Sequence, residues 1–154
     1  MTSKKWKFSP SIIFMLITIL NLTACTSTTQ QQEETPITNQ TSLTKTAWWV
    51  EDIAGKGVID MSHTTIQFTE DGKVSGSTGC NRYFGSTEIE GFNISFGPLA
   101  GTRKMCAASL MDQETKFFQA MGNVTSWEIA ETDLLHLRDA DGNSLLRASQ
   151  TNDP

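Results

Sequence analysis

The chain predicts a mainly β fold: an antiparallel sheet with one buried face and a single helix packed on it. Three observations predict it. Apolar residues recur at every second position in several short stretches. Turn-forming residues separate those stretches at intervals of roughly eight to twelve residues. One segment after residue 106 switches to helical spacing. Period-two alternation marks strands with one solvated face, and a 3.6-residue period marks an amphipathic helix.

The elements follow in order. "TAWWVEDIAG" reads as a strand that Gly55 ends. In "TTIQFTEDGKVSGSTG", Ile66 and Phe68 fall on one face and Thr65, Gln67 and Thr69 on the other, and "EDGK" turns the chain. "FNISFG" sets Phe92, Ile94 and Phe96 on one face. "SWEIA" does the same with Trp127 and Ile129. Leu135 and Leu137 alternate before a turn at Asp141-Gly142, and Leu145 and Leu146 follow in the returning strand. The helical segment is "CAASLMDQETKFFQAMGN". Leu110, Phe117 and Met121 share one face, and Gly122-Asn123 is a suitable stop. The expected domain spans residues 46–150, with the helix across an open end or face of the sheet.

The first 24 residues read differently. Lys4, Lys5 and Lys7 precede an apolar run, Ile12 to Leu20, which is about half the length a membrane span needs. This is the layout of a secretory signal. "LTAC" then resembles the lipobox of bacterial lipoproteins. That resemblance implies cleavage before Cys25 and lipid on its sulfur and amino group. Thr26 in place of Asp implies sorting to an outer membrane, with the domain facing the periplasm. Residues 25–45, rich in Thr, Gln and Ser, read as a disordered tether. About 18 flexible residues reach roughly 25 Å.

Losing 24 of 154 residues removes three of the twelve basic residues and none of the seventeen acids, so the mature charge is −8. Such a balance argues against nucleic acid as a partner. It also argues against electrostatic adhesion to anionic lipid; the membrane contact would be the lipid on Cys25.

Three cysteines is an odd number. With Cys25 lipidated, Cys80 and Cys106 form an even pair in a compartment where disulfides persist. A disulfide between them is the leading reading. A redox-active pair is a second, although the spacing is unlike Cys-x-x-Cys. A zinc site or a Cys–His nucleophile is poorly supported, because His63 and His136 stand isolated. "DADGN", Asp139 to Asn143, has the look of a calcium loop, but its glycine is misplaced for one, and a hairpin turn fits better. Arg82, Arg103 and Lys104 flank the cysteines; a disulfide would bring them together as a small basic spot, but each is expected instead to pair with a nearby acid. No catalytic, metal or cofactor motif is present.

"GCNRYFGSTEIEG" followed by "ISFGPLAGTRKMC" resembles the META domain, the family of the heat-shock protein HslJ. The resemblance runs from about Leu43 to Arg147. Lys104 and Thr87 depart from the pattern, which leads one to expect an apolar or small residue and an aromatic one. The resemblance implies a compact, barrel-like antiparallel fold with one helix. It implies structural roles for Gly79, Cys80 and Asn81, for Gly97, Pro98, Thr102 and Arg103, and for Cys106. It carries no catalytic residues. Its members are linked to envelope stress, altered antibiotic tolerance, and motility or secretion. The expected function is therefore that of a monomeric, non-enzymatic envelope lipoprotein that binds or supports another envelope component in stress. Two alternatives stand beside it: a periplasmic thiol oxidoreductase using Cys80 and Cys106, and a small-molecule binder using the mouth of the β fold. A packed interior holding Trp48, Phe68 and Phe96 would count against the last.

Overall fold

The computed structural model describes residues 43–151. The signal segment, Cys25 and nearly all of the tether lie outside these residues.

Among the described residues, ten strands and one long helix make the fold. The strands are β1 (Ala47–Ile53), β2 (Lys56–Gly57), β3 (Thr64–Phe68), β4 (Lys73–Thr78), β5 (Arg82–Glu90), β6 (Asn93–Phe96), β7 (Ala100–Gly101), β8 (Ser126–Ile129), β9 (Leu135–Arg138) and β10 (Ser144–Thr151), and the helix α1 is Ala108–Met121. Eight of the strands form a closed antiparallel ring in the order β1-β3-β4-β5-β6-β8-β9-β10, and β10 returns to pair with β1. The short strands β2 and β7 attach to β1 and β5. The junction of β6 with β8 is the thinnest seam. It rests on Asn93 opposite Ser126, with backbone bonds from Ile94 N to Thr125 O (3.1 Å) and Trp127 N to Phe92 O (2.9 Å).

The inward residues of the ring make a single packed core. Trp48, Val50, Ile66, Phe68, Tyr83, Ile94, Trp127, Leu135, Leu137 and Leu146 are buried, and Phe96 and Leu99 pack against them. Helix α1 adds Phe117, Ala120 and Met121 to the same cluster. It packs on β1, β4 and β10. β4 does not neighbour the other two, so the helix lies across one mouth of the ring.

Strand β5, the longest, does not announce itself by apolar alternation. Its inward positions are Tyr83, Gly85, Thr87 and Ile89, which mix sizes and polarity. Each fits a specific neighbour. The Tyr83 ring passes over Gly76 of β4, and its hydroxyl donates to Thr65 O on β3 (3.0 Å). A Cβ on Gly76 would meet the Thr65 carbonyl oxygen at 2.0 Å and the Tyr83 ring at 3.0 Å. Burial pushes the Tyr83 phenol well above its ordinary value. Gly85 leaves room for Leu99, whose Cδ2 would lie 2.5 Å from a Cβ there. Thr87 is buried and donates to Ser95 O (3.0 Å), so no aromatic side chain is needed at that position.

Two boundaries differ from the sequence reading. Leu43, assigned to the tether, is fully buried, and its carbonyl accepts the Trp48 indole N–H at 3.1 Å. A lone leucine in a polar tract offers no period to detect, so only the tertiary contact shows that it belongs to the core. Phe92, grouped with Ile94 and Phe96, precedes β6 and is 45% exposed; its ring rests against Trp127, with centroids 6.0 Å apart.

Candidate functional site

Two regions gather the residues that stand out in the sequence. The first joins the β4–β5 turn to the start of α1. Cys80 and Cys106 are bonded to each other, with Cα atoms 5.9 Å apart. Gly79 has φ +90°, and a Cβ there would meet Ser62 at 2.8–2.9 Å. Asn81 is 3% exposed and uses its whole side chain. Its Oδ1 accepts from the Thr102 hydroxyl and the Lys104 backbone N–H, both at 2.8 Å. Its Nδ2 donates to Glu114 Oε1 at 3.1 Å and to Lys104 O at 3.4 Å. The Thr78 hydroxyl donates to the other Glu114 oxygen. Thr102 also holds β5, through its backbone N–H to Arg82 O (2.9 Å).

Gln113 closes the same cluster from the helix. Its Nε2 faces Ser62, Thr64 and the Thr78 carbonyl at 3.0–3.2 Å, and its Oε1 accepts from Ile59 N at 2.7 Å. The sequence reading missed Gln113, Glu114 and Thr78. A usable signal existed for the first: Gln113 lies three residues after Leu110 and four before Phe117, a polar residue on the apolar face. Buried polar side chains of this kind are bonded because an unpaired one costs the full desolvation penalty.

Gly97 and Pro98 lie in the bulge between β6 and β7, which run consecutively along β5 with one extra residue between them. Proline has no N–H to give the ladder, so the pairing breaks there. A Cβ on Gly97 would meet Ser86 Oγ at 2.3 Å. The bulge aims Leu99 into the core over Gly85. These two motif residues therefore shape the wall and do not face the disulfide cluster.

Arg103 is exposed. No ion pair among the described residues involves Arg103, Arg82 or Lys104, which corrects the expectation that each finds an acid. The acids closest in sequence to Arg103 and Lys104 are committed elsewhere: Glu114 accepts from Asn81 and Thr78, and Asp112 pairs with Lys116.

The second region is a groove of about 590 Å³ on the outer wall of β1, β3, β4 and β5. Strand register builds it. Trp49, Thr65, Ser77 and Arg82 lie side by side across the four strands, and Gln67, Ser75 and Phe84 form the next row. Small hydroxyl residues sit on the two middle strands and large side chains on the flanks, so the wall is concave. His63 lies against Trp49, with ring centroids 4.9 Å apart. Phe84 is 63% exposed. None of the residues lining the groove is acidic.

His136 lies outside both regions, on β9 between Glu128 and Arg147 of the adjacent strands. Its Nδ1 is buried without a hydrogen-bond partner. Burial, then the nearby charges of Arg138 and Arg147, hold its pKa below the ordinary value, against an opposing pull from Glu128. The unfolded chain therefore binds more protons than the folded one as pH falls through the ordinary histidine range. Stability attributable to this residue is present above pH 6.5 and is lost as pH falls toward the depressed folded value. His136→Gln should flatten the loss of urea resistance between about pH 7 and 5; an unchanged slope would assign that loss to other groups. In the hairpin after β9, Asp139 accepts from the Asp141 and Asn143 backbones (3.0 and 2.8 Å) and from the Asn143 amide (3.0 Å). Its carboxylate is occupied in building the turn, and those bonds hold its pKa low.

Comparison with known proteins agrees with this architecture. A search of curated proteins returns no match. An NMR structure of a protein from Burkholderia xenovorans is 25% identical with a TM-score of 0.59, over 76% of this chain and 88% of that one. A second protein solved by NMR is also 25% identical, with a TM-score of 0.58, over 71% and 92%. A DUF4847 family protein from Bacteroides vulgatus shares the fold at 13% identity and a TM-score of 0.56, over 75% and 99%. The META domain model matches residues 41–152, which take in the ring, the helix and the disulfide cluster, and the chain belongs to the META domain family.

Proposed function

We propose that this META-domain protein is a lipid-anchored, non-enzymatic component of the bacterial cell envelope. It resides at the outer membrane, faces the periplasm, and binds or supports another envelope component under stress. The observation that carries the reading is the Cys80–Cys106 bond. It uses two of the three cysteines and leaves Cys25, within "LTAC", for lipid. Disulfides persist outside the cytoplasm. Several acyl chains would hold the protein firmly, since each buried CH₂ contributes about 0.8 kcal/mol. The filled interior disfavours a ligand in the mouth of the ring, because Trp48 and Phe68 are fully buried there and α1 lies across one end.

Intact-mass measurement with and without reductant tests the anchor. The expected species begins at Cys25, carries the mass of a diacylglycerol and an acyl chain, and gains two hydrogens on reduction. Cys25→Ser should move the protein out of the membrane fraction. An unmodified Cys25 would sink the anchor. Crosslinking from intact membranes should recover a reproducible envelope partner; recovery of none would argue against the binding role.

A further inference from the structure

We propose that the outer groove across β1, β3, β4 and β5 is a binding site for an acidic oligosaccharide. This names a ligand class for the binding role above and does not depend on the lipid. The chemistry of the lining points to it. Trp49 and Phe84 offer aromatic surface on opposite flanks, which suits the apolar C–H face of a sugar ring. The floor between them carries Thr65, Gln67, Ser75 and Ser77. Hydroxyl and amide groups both donate and accept, as a polyhydroxylated ligand requires. The β3 and β4 backbones are already paired on both sides, so the floor presents side chains only. That excludes strand addition, the common mode for an extended peptide.

Charge fixes the acidic character. The mature chain is strongly acidic, yet no carboxylate lines the groove. Arg82 stands at its rim without an acid partner, and Arg103 and Lys104 follow Thr102, which is bonded to Arg82. A guanidinium matches a carboxylate in a bidentate pair. The volume lies within the range of ordinary small-ligand sites. Its extent, two residue rows running across four strands, suits a short chain of rings better than a single one.

The test uses the full-length protein in detergent and a tetramer of galacturonic acid, followed by calorimetry and by the Trp49 indole resonance. Saturable one-to-one binding is expected, with the Trp49 signal shifted. The fully methyl-esterified, neutral tetramer should bind about tenfold more weakly, the equivalent of one charged hydrogen-bond pair. Arg82→Gln should remove that preference, and Trp49→Ala should weaken both tetramers. Ser75→Trp, an outward substitution that fills the groove, should abolish binding while leaving the melting temperature near that of the unsubstituted protein. Absence of saturable binding overturns the proposal. So does binding that survives Ser75→Trp, or an acidic preference that survives Arg82→Gln. None of these failures touches the lipid or the crosslinked partner, which are read by mass.

Discussion

Replacing both Cys80 and Cys106 with serine should lower the stability of the domain by about 3.5 kcal/mol, the chain-entropy value for a loop of about 26 residues. For a domain of this size that corresponds to a fall of roughly 10–20 °C in melting temperature. The effect should be concentrated at one place. Helix α1 follows an N-cap residue, Ala107, that makes no side-chain cap, and no acidic residue stands in its first turn. Caps and first-turn acids are what usually steady a helix start. Here the bond at Cys106 anchors the residue just before it, against the β4–β5 turn. Amide hydrogen exchange at Leu110 to Glu114 should therefore rise more than exchange in β9 and β10. A loss below about 1 kcal/mol would mean that the loop ends are already held together by other contacts, and that the entropy model fails here.

Asn81→Ala should cost about 2–4 kcal/mol in urea denaturation. The substitution removes a buried amide that serves Thr102, Lys104 and Glu114 together. Alanine leaves the Glu114 carboxylate with one donor fewer and the Thr102 hydroxyl without its acceptor. Asn81→Asp separates the geometric from the electrostatic part. It keeps the shape and Oδ1, but sets a second carboxylate against Glu114. Like charges in one site raise a carboxyl pKa. A group whose folded pKa is raised contributes more to stability as pH falls, so the deficit of Asn81→Asp should shrink toward acid pH, whereas that of Asn81→Ala should not. Equal deficits at all pH values would mean that the carboxylate of Glu114 is not close enough to matter.

These three residues lie in the part of the molecule that was easiest to read. An odd cysteine count and a signal segment pointed to the Cys80–Cys106 pairing, and the resemblance drew attention to Asn81. Alternation exposed β3 and β9 because their inward positions, Ile66 and Phe68, Leu135 and Leu137, are plainly apolar. β5 stayed hidden because Gly85 and Thr87 fill its inward face; each is explained only by Leu99 or Ser95 from the next strand. Leu43 was assigned to the tether for the same reason, since its partner, Trp48, gives no local signal. The groove was out of reach for a different cause. Thr65, Ser77 and Arg82 become neighbours only through the register of three strands, and register depends on pairing that no single segment encodes.

The pairing of β1 with β10 imposes an order on the making of the molecule. Ala47 has to find Thr151, so the ring cannot close until its last strand has been delivered. Contacts this distant in sequence are slow to form. Until then β1 and β9 present bare strand edges, the surfaces on which chains aggregate. A chain synthesised from its first residue passes through that state every time it is made. The closed form has no such edge around the ring, so the hazard belongs to the newborn protein alone. Selection on this fold therefore acts on the way it is assembled as well as on its finished shape.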